Sequence, residues 1–288
     1  MPGNKLMKGV FWLLMFISPV TAAAQYFSNY DANKDLFIRN VKLIDEFIER
    51  FNDNKDTYLR KALAADDTQY DISRGMLLVS LFNLENTSFT DKDTLLKGFF
   101  RRVLDKDAPV YLSFNDTDWY ASAQCVFLYK GKLVEIPIVL RVRSKRDEWA
   151  KWMIAGIGKQ VPSKGPAPSI SVGNKDARMP AYISTSSYAT NFVELHYIFT
   201  KNIEPELVFE KGLLESEDGQ AFISLVRDGA LRFQYAKKIT FHFLQVKDWL
   251  FTVDEFKRKA YNNGWLISSV RKVTEAEKDT ARKLLLSR

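Results

Sequence analysis

The sequence predicts an α+β protein: helices packed on a curved antiparallel sheet, with the plan occurring in two units. Three observations predict it. Apolar residues recur at helical spacing between residues 35 and 103, and the spacing falls to two between 119 and 157. A shorter series of helix-like and then strand-like segments follows residue 181. Helices first and strands afterwards argue for a meander under helices and against a parallel sheet built from βαβ units. The composition permits such cores: 46% of the 288 residues are hydrophobic, with 21 Phe, 12 Tyr and 6 Trp. With 27% charged residues, the chain is neither a disordered nor a low-complexity polymer.

The first element is a leader. The chain opens MPGNKLMKGVFWLLMFISPVTAAAQ, in which Lys5 and Lys8 precede an apolar run from Val10 to Val20 and the small triplet Ala22-Ala23-Ala24. That order is the layout of a cleavable secretory signal over residues 1–24, with the cut between Ala24 and Gln25. The run is too short to cross about 30 Å of hydrocarbon as a helix. No later stretch reaches eighteen apolar residues. The expected location is therefore periplasmic or secreted, with no transmembrane anchor after cleavage. Loss of Lys5 and Lys8 takes the formal charge from +7 to +5. An excess of that size makes nucleic acid an unexpected partner, because such binders concentrate their charge on one face.

Residues 35–158 form the first unit. Phe37, Val41, Ile44, Ile48 and Phe51 predict an amphipathic helix over Asp35 to Asn52, and ISRGMLLVSLFNL a second over Ile72 to Leu84. A third helix follows Thr90 and Asp93, a capping pair, and carries Leu95, Leu96, Phe99, Phe100 and Val103 on one stripe. Strands are predicted over Trp119 to Tyr129, Leu133 to Val142 and Trp152 to Ile157, the first two joined by a turn at Lys130-Gly131-Lys132. Residues 159–180 hold four of the nine prolines and read as a connector. A second, smaller α+β unit occupies 181–288. Its helices are expected over Phe192 to Thr200 and Gln220 to Val226, and its strands over Lys238 to Val246, Trp249 to Val253 and Trp265 to Val270. Thr274 and Glu277 form a capping box before a last helix.

One internal echo joins the units. At an offset of 113 residues, EIPIVLRVRSKRDEWAKWMI (135–154) lies over DWLFTVDEFKRKAYNNGWLI (248–267) without gaps, matching Trp152 to Trp265 and Ile154 to Ile267. Duplication and chance likeness between amphipathic strands both account for it, and the helical parts do not superpose at this offset.

IDEFIERFN on the first helix, WYASAQCVFLYKGK and EIPIVLRVR on successive strands, and WMIAGI on a last strand together resemble the nuclear transport factor two-like superfamily. This is the cone-shaped α+β fold shared with ketosteroid isomerase and SnoaL-type cyclases. The leader and the RFN segment also look like secreted, uncharacterised proteins of Bacteroidota. The resemblance covers about residues 35–158 and implies a pocket between the concave sheet and the helices. Catalytic members place an Asp base opposite Tyr and acid donors. Asp116, Asp118 and Tyr120 do not fall on that pattern, and NDTD reads more simply as a polar turn.

Chemistry-bearing motifs are few. The chain has no H-E-x-x-H, G-x-S-x-G, Walker A loop or G-x-G-x-x-G. Its lone Cys125 lies in an apolar run and reads as a small buried hydrophobe. His196 and His242 read as structural. No catalytic residue, metal site or cofactor is therefore expected. The candidate ligand-binding residues are Trp119 and Tyr120 at the start of one strand and Arg141 and Arg143 on the next, where the two guanidinium groups share a face and suit an anionic ligand or acidic partner. The expected function is an exported, non-catalytic protein that binds a small ligand or an envelope protein. The alternative is a small-molecule enzyme of the isomerase, cyclase or hydrolase type working in the first unit's pocket.

Overall fold

The computed structural model describes residues 21–37, 41, 43–56, 60–61, 72–85, 89, 93–145, 149–162, 182–184, 192, 194–200, 204–257 and 263–287. The apolar run Val10–Val20, Thr90 and most of the proline-rich segment lie outside the described residues. Helices α1 (Thr21–Ala32), α2 (Ile44–Asn52), α3 (Arg74–Ser80) and α4 (Thr94–Val103) precede strands β1 (Trp119–Tyr129), β2 (Lys132–Lys145) and β3 (Trp149–Ile157). After the short strand β4 (Ile183–Ser184) come α5 (Glu194–Thr200), α6 (Pro205–Val208), α7 (Lys211–Leu214) and α8 (Glu217–Arg227). The chain continues through β5 (Leu231–Phe243), β6 (Trp249–Phe256), β7 (Gly264–Lys272) and α9 (Glu275–Leu286).

Local chemistry sets several boundaries. Ser73 and Asp93 cap α3 and α4 by accepting from the amides of Met76 and Leu95. The β1–β2 turn needs two consecutive left-handed residues, Lys130 at φ 48° and Gly131 at φ 75°, so a glycine belongs there. Thr274 and Glu277 make the reciprocal capping box of α9. The single helix expected over Asp35–Asn52 is instead a 3-10 turn at Lys34–Phe37 followed by α2. Val41 exchanges backbone hydrogen bonds with Asn263 and Trp265, and this pairing overrides its helical spacing.

The fold is α+β, with helices on an open antiparallel sheet of order β4-β3-β2-β1-β5-β6-β7. Two meanders stand back to back, joined where β1 pairs with β5. Their ladders share one register. Ile138↔Ile157, Val139↔Gly156 and Leu140↔Ile154 of β2–β3 become Phe251↔Val270, Thr252↔Ser269 and Val253↔Ile267 of β6–β7 when 113 is added to each number. The irregularity in each ladder falls at the same place, between Val139 and Leu140 and between Thr252 and Val253. Across β1–β5 the offset is 120: Tyr120↔His242 maps onto Ser122↔Thr240, and Ala121↔Phe241 maps onto itself. A pseudo-twofold axis thus passes between Ala121 and Phe241, normal to the sheet. The echo at 113 residues is the trace of this symmetry.

The halves are also interlocked. Phe47 and Phe51 of α2 and Phe99 of α4 pack on Phe251 of β6 at ring distances of 6.5, 6.0 and 5.6 Å. In return Phe199 of α5 and Phe222 of α8 pack on Phe127 of β1 at 5.5 and 5.6 Å. The sheet edges repeat the exchange. Phe82 bridges Ile267 of β7, and Phe209 bridges Ile154 of β3, both in parallel. The amides of Asn83 and Glu210 then donate to the carbonyls of Ile267 and Ile154, positions that are themselves 113 apart. Each half is thus covered in part by helices of the other, while Phe199 of α5 also packs on Phe233 of its own β5 at 5.4 Å.

Candidate functional site

Alternation along β1 sorts the sheet into two faces. Trp119, Ala121, Ala123, Cys125 and Phe127 point into the main core, and Tyr120, Ser122, Gln124 and Val126 point away from it. On the helix side aromatic rings of the described residues pack closely on the sheet. Trp119 meets Trp152 at 4.6 Å and Phe243 at 5.4 Å, Trp152 meets Phe192 at 5.2 Å, and Phe241 meets Trp265 at 5.1 Å. Cys125 is buried here, and burial pushes its thiol well up, which leaves it unreactive. Trp119 is therefore a core residue, on the opposite face from the other three candidates.

Tyr120, Arg141 and Arg143 do share the second face. The Tyr120 hydroxyl bonds Arg141, whose guanidinium forms a two-pronged ion pair with Glu210, and Arg143 reaches the same carboxylate at 2.7 Å. The acidic partner of the two arginines is thus supplied by the segment that bridges β3. Burial pushes the Tyr120 phenol up, and its bond to Arg141 only partly offsets that. NDTD is a polar turn, with the Asp116 carboxylate accepting from the Asp118 amide at 2.7 Å. Asp118 itself takes a bidentate hold on Arg282 of α9, at 3.1 and 2.8 Å. His196 lies on the exposed side of α5.

The C-terminal helix packs on this second face. Leu285 and Ala281 join Tyr120, Val139, Leu244, Leu250 and Val273 in a small separate core. Lys278 is buried and donates to the carbonyls of Leu244 and Val246 at 2.8 and 2.9 Å. A Cβ at Gly156 would lie 3.0 Å from the Leu286 carbonyl oxygen, so the helix end comes close only because glycine stands there.

Beside this seat the same face carries a polar group that motif searching missed. Its members fall on four strands, β1, β5, β6 and β7, and only the pairing register brings them together. His242 Nε2 lies 3.1 Å from the Ser122 hydroxyl. Thr240 and Ser268 each donate to Asp254 at 2.6 Å, and Lys238 pairs with the same carboxylate at 2.9 Å. The Thr252 hydroxyl lies 2.8 Å from Ser268 and 2.6 Å from Ser269. Burial pushes the Asp254 carboxyl up, but the bonds from Ser268, Thr240 and Lys238 together outweigh it and hold the group below its ordinary range. Among the described residues no cluster of three His, Cys, Asp or Glu could hold a metal ion, and no helix is long and apolar enough to cross a membrane.

Comparison with known proteins finds no matching family model, no matching curated protein and no matching solved structure.

Proposed function

We propose that the protein is an exported, non-catalytic binding protein of the cell envelope that takes its ligand or partner on the face of the sheet turned away from the main helical core. One observation carries this reading. The interior that a cone-like fold would use for a ligand holds packed aromatic rings, while the hydroxyl, imidazole and ammonium groups collect on the other face. The leader motif supports export. Ala24 and Gln25 lie in the first turns of α1, and the residues by which α1 packs, Tyr26 and Phe27 against Phe100 and Tyr30 against Phe37, all follow the expected cut.

The Ser122–His242 contact is the observation that favours an enzyme. Its setting does not suit acyl transfer. Ser122 is buried in the middle of a central strand paired on both sides, so its backbone is engaged in the ladders and is not turned toward an oxyanion. Binding is the better reading of these side chains.

Cell fractionation with mass spectrometry, combined with a photo-crosslinking residue at Lys238, tests the proposal. A chain beginning at Gln25, found outside the cytoplasm and crosslinked to envelope material, is the expected result. A cytoplasmic chain still beginning at Met1, or no envelope material crosslinked from Lys238, overturns it.

A further inference from the structure

The pseudo-twofold axis gives the sheet two equivalent seats on its second face, and α9 occupies one. That seat is lined by Tyr120, Val139, Leu244 and Leu250, with Gly156 under the helix end. Carrying each position through the symmetry, by 120 for β1 and β5 and by 113 for the outer strands, gives Thr240, Thr252, Gln124, Pro137 and Ser269. An apolar lining on one side of the axis is matched by a hydroxyl-rich lining on the other. A helix like α9, which docks through Leu285 and Ala281, would meet Pro137 as the one aliphatic side chain at these matched positions. A second copy's α9 therefore fits this seat poorly.

We infer that this second seat binds an uncharged, hydroxyl-rich ligand, a glycan chain. The inference rests on the binding-protein reading above and names its ligand class. Both carboxylates described in the seat are neutralised, Asp254 by Lys238 and Glu135 by neighbouring Lys237 at 2.6 Å. A neutral ligand complements such a surface better than an anion or a cation. Each hydroxyl of Thr240, Thr252, Ser268 and Ser269 donates one hydrogen and keeps acceptor capacity for a ligand hydroxyl. Tyr235 faces the same side, opposite Val126 and further along β5. Its ring is 52% exposed and offers a flat apolar surface for the C–H face of a sugar.

Titration calorimetry of the purified protein with maltoheptaose, cellohexaose and chitohexaose tests this. At least one of the three should bind. Thr252→Val and Tyr235→Ala should each weaken it about tenfold, a loss of the size expected for one hydrogen bond or one stacked ring. Thr252→Ser should retain binding, and Arg101→Ala, at an exposed position of α4, should leave it unchanged. Tyr235 is exposed, so its variant decides the matter even if Thr252→Val disturbs folding. Failure of all three sugars to bind, or binding that survives both substitutions, overturns the inference. Export together with a protein crosslinked at Lys238 and no sugar bound keeps the binding-protein reading and defeats this one. A cytoplasmic chain that binds a sugar does the reverse.

Discussion

Arg74 joins three separate segments through one guanidinium. It donates to the carbonyls of Phe51, Val103 and Val110, and lies 4.4 Å from the centre of the Tyr111 ring. Burial pulls its pKa down, the sign of a cation taken from water to serve backbone acceptors. Arg74→Met removes those donors and strands the acceptors, which should cost roughly 2–4 kcal/mol in urea unfolding. A cost below about 0.5 kcal/mol would show that water replaces the side chain without loss. Asp254 gives a prediction of different sign in pH. Its folded-state pKa is depressed below the ordinary 3.8, so its contribution is complete above that value and fades as pH falls through the lower folded value. Wild-type protein should lose more stability than Asp254→Asn on acidification below about pH 4. Parallel acid limbs for the two proteins would mean that the carboxylate is not held by its three donors.

At the level of elements, α1 and α9 are both added to the sheet-and-helix body, by different means. α1 adds Tyr26, Phe27 and Tyr30, so a chain beginning at Gln25 should melt with the full chain, whereas one beginning at Lys34 should melt several degrees lower. Equal melting of both would mean that the helix is not part of the packed body. α9 covers Tyr120, Val139, Leu244 and Leu250. Ending the chain before Thr274 should expose that patch and raise the fluorescence of a hydrophobic dye, and an unchanged signal would mean that the helix is not docked in solution. The strands that alternate cleanly were legible in the sequence: Trp119–Tyr129 coincides with β1, and the 274–277 capping box is formed. β5 starts seven residues before its expected Lys238, because irregularities opposite Gln124 and Val126 insert Lys237 and Gln234 and break the period-two pattern. The polar group was not legible for a related reason. Ser122, His242, Thr252 and Asp254 are ordinary outward-facing strand residues until β1, β5 and β6 are laid side by side. Of the four candidate residues, the sequence put only Arg141 and Arg143 on one face; the structure adds Tyr120 to them and sends Trp119, of opposite parity to Tyr120, to the core.

The whole molecule is a duplicated plan in which neither copy is closed. The aromatic rings of α2 and α4 lie on β6, and those of α5 and α8 lie on β1, so separating the halves would uncover Phe127 and Phe251 together with their neighbours. Burial of several such rings is worth about 1.5–3 kcal/mol each, comparable in total with the net stability of a domain. The most direct measurement is to produce residues 25–162 and 182–288 as separate chains and follow their urea unfolding apart and mixed. The account predicts no cooperative transition for either chain alone and a single cooperative transition for the equimolar mixture, with a midpoint that rises with concentration. A cooperative transition from one half by itself would contradict it.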